Sequence, residues 1–258
     1  MSAPALALSG LTRTFGGLVA LDHLDLDVAE GEIFGLIGPN GSGKTTTFNV
    51  LTGIYAASEG RVQFHGRDIT NFSAQAVCEA GIARTFQRSR LNLPLSIFDN
   101  IMIGNHIRLN RGLWFNLFQR RAFAAQFEAA FAEARELVRL FDPPLADRMF
   151  EAVGAFPMID RRRIEICRAL ISKPKLLLLD EPSAGMTEEE TRQLMDDILT
   201  VKNRLADLTV IVIEHEMGII ERITNRCAVL NFGRKIAEGA YREIAADRQV
   251  QQAYLGVE

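Results

Sequence analysis

Residues 38–46 read Gly38-Pro39-Asn40-Gly41-Ser42-Gly43-Lys44-Thr45-Thr46, a glycine, an interval of four residues, then Gly-Lys-Thr. This phosphate-loop pattern constrains the fold more than any other feature of the chain. Its glycines let consecutive backbone N–H groups turn inward as an anion nest. The mechanism requires a strand before the loop and a helix after it, whose positive N-terminal end faces the anion. Ile33-Phe34-Gly35-Leu36-Ile37 is a continuous apolar run, as in a strand buried on both faces. A helix is predicted from about Lys44 to Leu51. Lys44 is then expected to reach the β- and γ-phosphates of a nucleotide, and the Thr45 hydroxyl to ligate Mg²⁺.

The complementary half of such a site lies at Leu176-Leu177-Leu178-Leu179-Asp180-Glu181. Four apolar residues make a second buried strand, and Asp180 emerges at its end, where it can hold Mg²⁺ through water. Glu181 can polarise an attacking water. Between the two halves the pattern changes. Leu24 to Val28 alternates as a half-buried strand, and Val62 with Phe64 suggests another. The stretch from about Gln87 to Phe156 reads as helical, with a Ser96–Asp99 cap and a helix over Arg120 to Phe141 ended by Asp142-Pro143-Pro144. Strand and helix then alternate again: Val210–Ile213, Cys227–Leu230 and Lys235–Ala237 as strands, Thr187 with Glu190 as a helix cap, and a helical tail. The architecture expected is α/β with a helical insertion.

Composition narrows the class. The chain has 258 residues, 48% hydrophobic and 24% charged, with a net charge of −3, an ordinary globular mix. That excludes a disordered chain and a small disulfide scaffold, and it disfavours a dedicated nucleic-acid binder. No apolar run approaches the roughly 18–20 residues of a membrane-spanning helix, so direct membrane insertion is not expected. The N-terminus has no basic residue before its apolar stretch and makes a poor signal peptide. Cys78, Cys167 and Cys227 suit buried thiols in a reducing compartment. A cytosolic protein is expected, linked to any membrane through a partner.

Two further stretches sharpen the assignment: Ala83-Arg84-Thr85-Phe86-Gln87, and Ile213-Glu214-His215-Glu216-Met217. A phosphate loop, a Gln after a strand, an apolar strand ending Asp-Glu-Pro and a strand ending in His, in this order, resemble the ATP-binding-cassette (ABC) ATPases over nearly the whole chain. Ile236-Ala237-Glu238-Gly239 and the terminal Ala253-Tyr254-Leu255-Gly256 are similar to the ATP-binding subunits of branched-chain amino acid importers. The resemblance implies a RecA-like ATPase core (residues 1–87 and 160–258) with an N-terminal antiparallel β subdomain and an inserted α-helical subdomain (88–159). It implies ATP and Mg²⁺ as ligands, with Gln87 sensing Mg²⁺ and the lytic water, and His215 contacting the γ-phosphate. Phe15 falls where the family stacks an aromatic on adenine, or else packs as a core phenylalanine. The implied partners are transmembrane permease subunits and a sister ATP-binding subunit, on the inner face of the cell membrane. A soluble or regulatory ABC-type ATPase without a transmembrane partner is the alternative. The dense apolar stretch Gly112-Leu113-Trp114-Phe115-Asn116-Leu117-Phe118 separates the two: it is either a docking patch or the insertion's own core.

The chain departs from the family where one subunit donates a signature motif, normally Leu-Ser-Gly-Gly-Gln, to the ATP on its partner. Here the segment is Phe156-Pro157-Met158-Ile159-Asp160. Pro157 removes a hydroxyl and an N–H donor. Ile159 is expected to put a branched side chain, and Asp160 a negative charge, where phosphate approaches. Arg161, Arg162 and Arg163 either compensate or form a solvated face. Thr187 replaces an Asp or Asn and is read as a helix cap.

Overall fold

The structure, a computed structural model, describes residues 4–87, 89–109, 112 and 118–255. In chain order these form β1 (Leu6–Phe15), β2 (Leu18–Val28), β3 (Ile33–Ile37), α1 (Lys44–Leu51), β4 (Glu59–Phe64), β5 (Arg67–Asp68), α2 (Ala74–Glu79), β6 (Ile82–Arg84) and α3 (Ile97–Gly104). There follow α4 (Arg120–Phe141), α5 (Met158–Leu170), β7 (Leu176–Asp180), α6 (Glu188–Arg204), β8 (Thr209–Ile213) and α7 (Met217–Ile223). The chain closes with β9 (Arg226–Asn231), β10 (Arg234–Gly239), α8 (Tyr241–Ala245) and α9 (Arg248–Leu255).

The chain divides into two compact units. The first comprises Met1–Arg84, Lys175–Pro182 and Leu205–Glu258, the second Thr85–Pro174 and Ser183–Arg204. In the first, an antiparallel sheet runs in the order β2-β1-β4-β5 and a six-stranded sheet in the order β10-β9-β3-β8-β7-β6. Strands β9, β3, β8, β7 and β6 are mutually parallel, and β10 closes one edge antiparallel. The alternation in β2 is visible in its burial: Leu24, Leu26 and Val28 face inward, Asp25 and Asp27 outward. By contrast β3, β7 and β8 are buried at every position, as befits parallel strands covered on both faces.

The second unit is built from α3 to α6. Ser96 caps α3 in a full capping box with Asp99. Gly104 is required at its end, because a Cβ there would meet the Arg168 carbonyl oxygen at 1.9 Å. Helix α4 spans the predicted residues and buries Ala130, Ala134, Val138 and Phe141 along one face. Residues 160–174 and 183–204, grouped with the core by sequence, belong to this unit. Arg163 on α5 ties them in, pairing with Asp197 on α6 and with Asp142 after α4. The segment Gly112–Phe118 lies outside the described residues except for its two ends; Phe118 is 68% exposed. Cys167 and Cys227 are buried, whereas Cys78 is only partly so.

Candidate functional site

Sheet register brings the sequence elements together. Leu36 pairs with Ile213, and Ile213 pairs with Asp180. Three adjacent parallel strands, β3, β8 and β7, therefore end level. The chain leaves them into the phosphate loop, toward His215 and at Asp180–Glu181, the carboxyl edge where parallel sheets bind ligands.

The loop itself is tightly held. Gly38 has φ +143°, and a Cβ there would lie 2.1 Å from the Leu230 carbonyl oxygen. Lys44 is buried at the start of α1, and its Nζ donates to the carbonyls of Gly38 at 2.7 Å and Pro39 at 2.9 Å. Burial lowers its pKa, while the charges of Glu181 and Asp180 oppose that shift. The ammonium is thus caught between desolvation and two acids, a position that phosphate would relieve. Ser42 Oγ is buried with no hydrogen-bond partner among the described residues, an acceptor and donor left for a ligand. Asn40, Gly41 and Thr45 are exposed, and Pro39, Gly43 and Thr46 partly so.

Asp180 is 3% exposed, and its Oδ2 accepts from Arg84 Nη2 at 2.6 Å. Glu181 adopts the left-handed region, φ +47°, unusual for its residue type. Its N–H donates to the Ile213 carbonyl at 2.9 Å, and its Oε1 lies 2.6 Å from His215 Nε2. The two candidate catalytic side chains therefore touch. Phe15 is not a core residue: it is 37% exposed, packs edge-on against Tyr55 at 5.1 Å, and lies 4.4 Å from the Arg13 guanidinium. The C-terminal tail also reaches the loop. Burial pushes the Tyr254 phenol up to about 12, and the Gly38 backbone beside it opposes this. A cavity of about 350 Å³ lies between Ile37, Met217, Tyr241 and Tyr254.

Gln87 belongs to the second unit, where it is exposed. Its carbonyl and that of Phe86 accept from Arg162 at 3.4 and 3.2 Å. Here the structure corrects the sequence. Arg162 and Arg163 are each 3% exposed, not a solvated face. Arg162 pairs with Glu165 at 2.8 Å, and Arg161 donates to the Gly154 carbonyl at 2.9 Å. Their long side chains turn inward because buried carboxylates and carbonyls are there to meet them. The segment 156–160 needs the same revision. Phe156 and Ile159 are buried, and Asp160 is paired with Arg163 at 2.9 Å. Ile159 therefore does not stand outward, and Asp160 turns toward Arg163, which it shares with Asp142 and Asp197. Pro157 and Met158 form the exposed start of α5, and Pro157 offers no cap hydrogen bond. Thr187 does cap α6, exchanging hydrogen bonds with Glu190.

Arg84 was not among the candidate residues read from sequence, though ARTFQ contains it. Among the described residues, no group of three or more His, Cys, Asp or Glu is placed to hold a metal. A cation here would rest on one carboxylate, a hydroxyl and phosphate oxygens. That donor set fits Mg²⁺, which keeps most of its ligands from water and substrate.

A fold with this carboxyl-edge constellation and a helical second unit defines a nucleotide-binding cassette. Residues 21–184 match the ABC transporter family, and residues 234–258 match the family described as branched-chain amino acid ATP-binding cassette transporter. The chain belongs to the ABC transporter family and is an ATPase of the kind that hydrolyses ATP to power transport. It is 37% identical to the high-affinity branched-chain amino acid transport ATP-binding protein LivG of Salmonella typhimurium, over 99% of each chain. To the corresponding BraF of Pseudomonas aeruginosa it is 34% identical, again over 99% of each. The crystal structure of the ADP conformation of an ATP-binding cassette superposes with a TM-score of 0.85 at 29% identity, covering 99% of this chain and 100% of that one. A nucleotide-free cassette superposes at 0.83, with 29% identity and coverage of 97% and 98%. No helix among the described residues is long and apolar enough to cross a membrane.

Proposed function

We propose that this chain is the ATP-hydrolysing subunit of an importer for branched-chain amino acids or a related small polar solute. It would act peripherally at the inner face of the cell membrane. The observation that carries the reading is the level ending of β3, β8 and β7, which puts Lys44, Asp180, Glu181 and His215 on one edge. The match of residues 234–258 to the branched-chain family supports the solute class.

In this reading the loop Gly38–Thr46 cradles the phosphates and Lys44 supplies the point charge. Phe15 offers its exposed face to adenine, with Tyr55 and Arg13 backing it. Thr45 and Asp180 would hold Mg²⁺, which would supply positive charge beside the phosphates, and Gln87 is the residue that the family resemblance assigns to sensing it. Glu181 orients and polarises the attacking water. His215, hydrogen-bonded to Glu181, holds that carboxylate in register and stands near the γ-phosphate position.

The partners are permease subunits and a sister ATPase. Exposed Phe118, Phe123, Phe127 and Phe150 on the second unit support an apolar docking face. The start of α5 supports a sister chain with an intact signature, because Pro157 has neither the hydroxyl nor the N–H that a serine there would offer a facing phosphate. The test is steady-state ATPase and solute uptake in vesicles carrying the cognate permeases. ATP-driven uptake that requires this chain and stops with Glu181→Gln is expected. Uptake unaffected by its removal would overturn the assignment.

A further inference from the structure

Arg84 ends β6 and the first segment of the first unit. Its contact with Asp180 at 2.6 Å is deeply buried: the two side chains are 5% and 4% exposed. The same guanidinium donates to Asn49 Oδ1 at 2.7 Å and Thr52 Oγ1 at 3.3 Å, and lies 5.3 Å from the Phe48 ring centroid. All three anchors belong to α1 or its C-cap, the helix that opens from the phosphate loop. A buried carboxylate without a counter-charge is strongly unfavourable. Arg84 thus supplies at Asp180 the positive charge that a divalent cation would otherwise bring.

We propose that Arg84 is a positioning residue, the internal counter-ion of Asp180, and that it keeps the site from taking up a divalent cation before nucleotide arrives. A cation arriving alone meets a guanidinium already on the carboxylate it needs, and gains little. A cation arriving on ATP brings phosphate charge that outweighs this repulsion. Cation uptake is thereby made conditional on nucleotide. The inference rests on the reading of Asp180 as the Mg²⁺ residue. A purely structural Arg84, stitching α1 to β7, would affect stability and leave nucleotide-free cation binding unchanged.

The test is a Mn²⁺ titration of the full chain, read by water-proton relaxation, without nucleotide and with a non-hydrolysable ATP analogue. Arg84→Met should bind Mn²⁺ without nucleotide about tenfold more tightly than the parent, because Asp180 loses the guanidinium that contacts it. Its melting temperature should rise with Mg²⁺ alone, which the parent's should not. The double variant Arg84→Met, Asp180→Asn should lose both effects. Arg84→Lys, which keeps the charge and loses the fork, should fall between parent and Arg84→Met, and it decides the matter if Arg84→Met does not fold. Nucleotide-free Mn²⁺ binding equal to the parent's in these variants would overturn the counter-ion role. Asp180→Asn with parental Mn²⁺ affinity in the presence of the analogue would overturn the Mg²⁺ reading itself, and the inference with it.

Discussion

The carboxyl edge of the first unit and the start of α5 in the second are the two places that the family resemblance assigns to phosphate, the second to a phosphate on a partner chain. The chain has treated them differently. At the first, polar groups gather at one edge: a buried Lys44 ammonium opposed by desolvation, a Ser42 hydroxyl with no hydrogen-bond partner among the described residues, and a Glu181 in a left-handed conformation against His215. At the second, chemistry has given way to packing. Phe156 and Ile159 fill the interior, Arg162 pairs with Glu165, and Arg163 pairs with Asp160, Asp142 and Asp197. The first edge presents charged and polar groups where strands end, whereas the second turns Arg162 and Arg163 toward carboxylates within the chain.

The largest effect is expected at the first site. Lys44→Ala should weaken MgATP binding by more than about 10³-fold, since a desolvated point charge aimed at phosphate is lost. Calorimetry on the purified variant checks this, and parental affinity would break the comparison at once. Glu181→Gln should bind ATP normally and lose roughly 10²–10⁴ in turnover, measured in whatever assembly is active.

The second region is probed by repair. The chain alone should bind ATP and hydrolyse it slowly, with both sites of a homodimer facing Pro157 and Met158. Pro157→Ser restores a hydroxyl, an N–H and an N-cap. It should stabilise α5 by about 1 kcal/mol and promote ATP-dependent dimerisation, seen by size-exclusion chromatography. The triple change Pro157→Ser, Ile159→Gly, Asp160→Gln should raise turnover per folded molecule by up to about 10²-fold. Because Ile159 is buried, it should also cost on the order of 3 kcal/mol in stability. Brisk turnover by the parent, unchanged on repair, would show that α5 is not a donated site.

Smaller effects sharpen the picture. Phe15→Ala should weaken ATP binding by about 1–3 kcal/mol, with little change in the chemical step and with GTP a usable substitute. Thiol labelling compares the interiors of the two units. Burial pushes the Cys227 thiol up to about 11 in the first and the Cys167 thiol further in the second. Both should react with an aromatic disulfide only on unfolding, while the partly buried Cys78 reacts first. Rapid native-state labelling of Cys167 would mean that the second unit opens more readily than its packing implies.

The sequence by itself determined what is written within a turn of helix or a few residues of strand. The loop Gly38–Thr46 with its flanking β3 and α1, the strand ending in Asp180, the Ser96 and Thr187 caps and the extent of α4 all follow from neighbours at short separation. Strand period, helix period and turn chemistry act at that range. Tertiary structure alone decided which distant groups meet. Arg84 finds Asp180 across 96 positions, and Glu181 finds His215 across 34. Both pairings depend on a strand order, β3-β8-β7-β6, that no local pattern encodes. The run Arg161-Arg162-Arg163 shows the same limit from the other side. Adjacent cations read as a solvated face until the fold supplies Glu165 as partner to Arg162, and Asp142, Asp160 and Asp197 to Arg163. Whether a charge is exposed or paired is a property of what packs against it, and burial without a partner costs too much for the choice to be local.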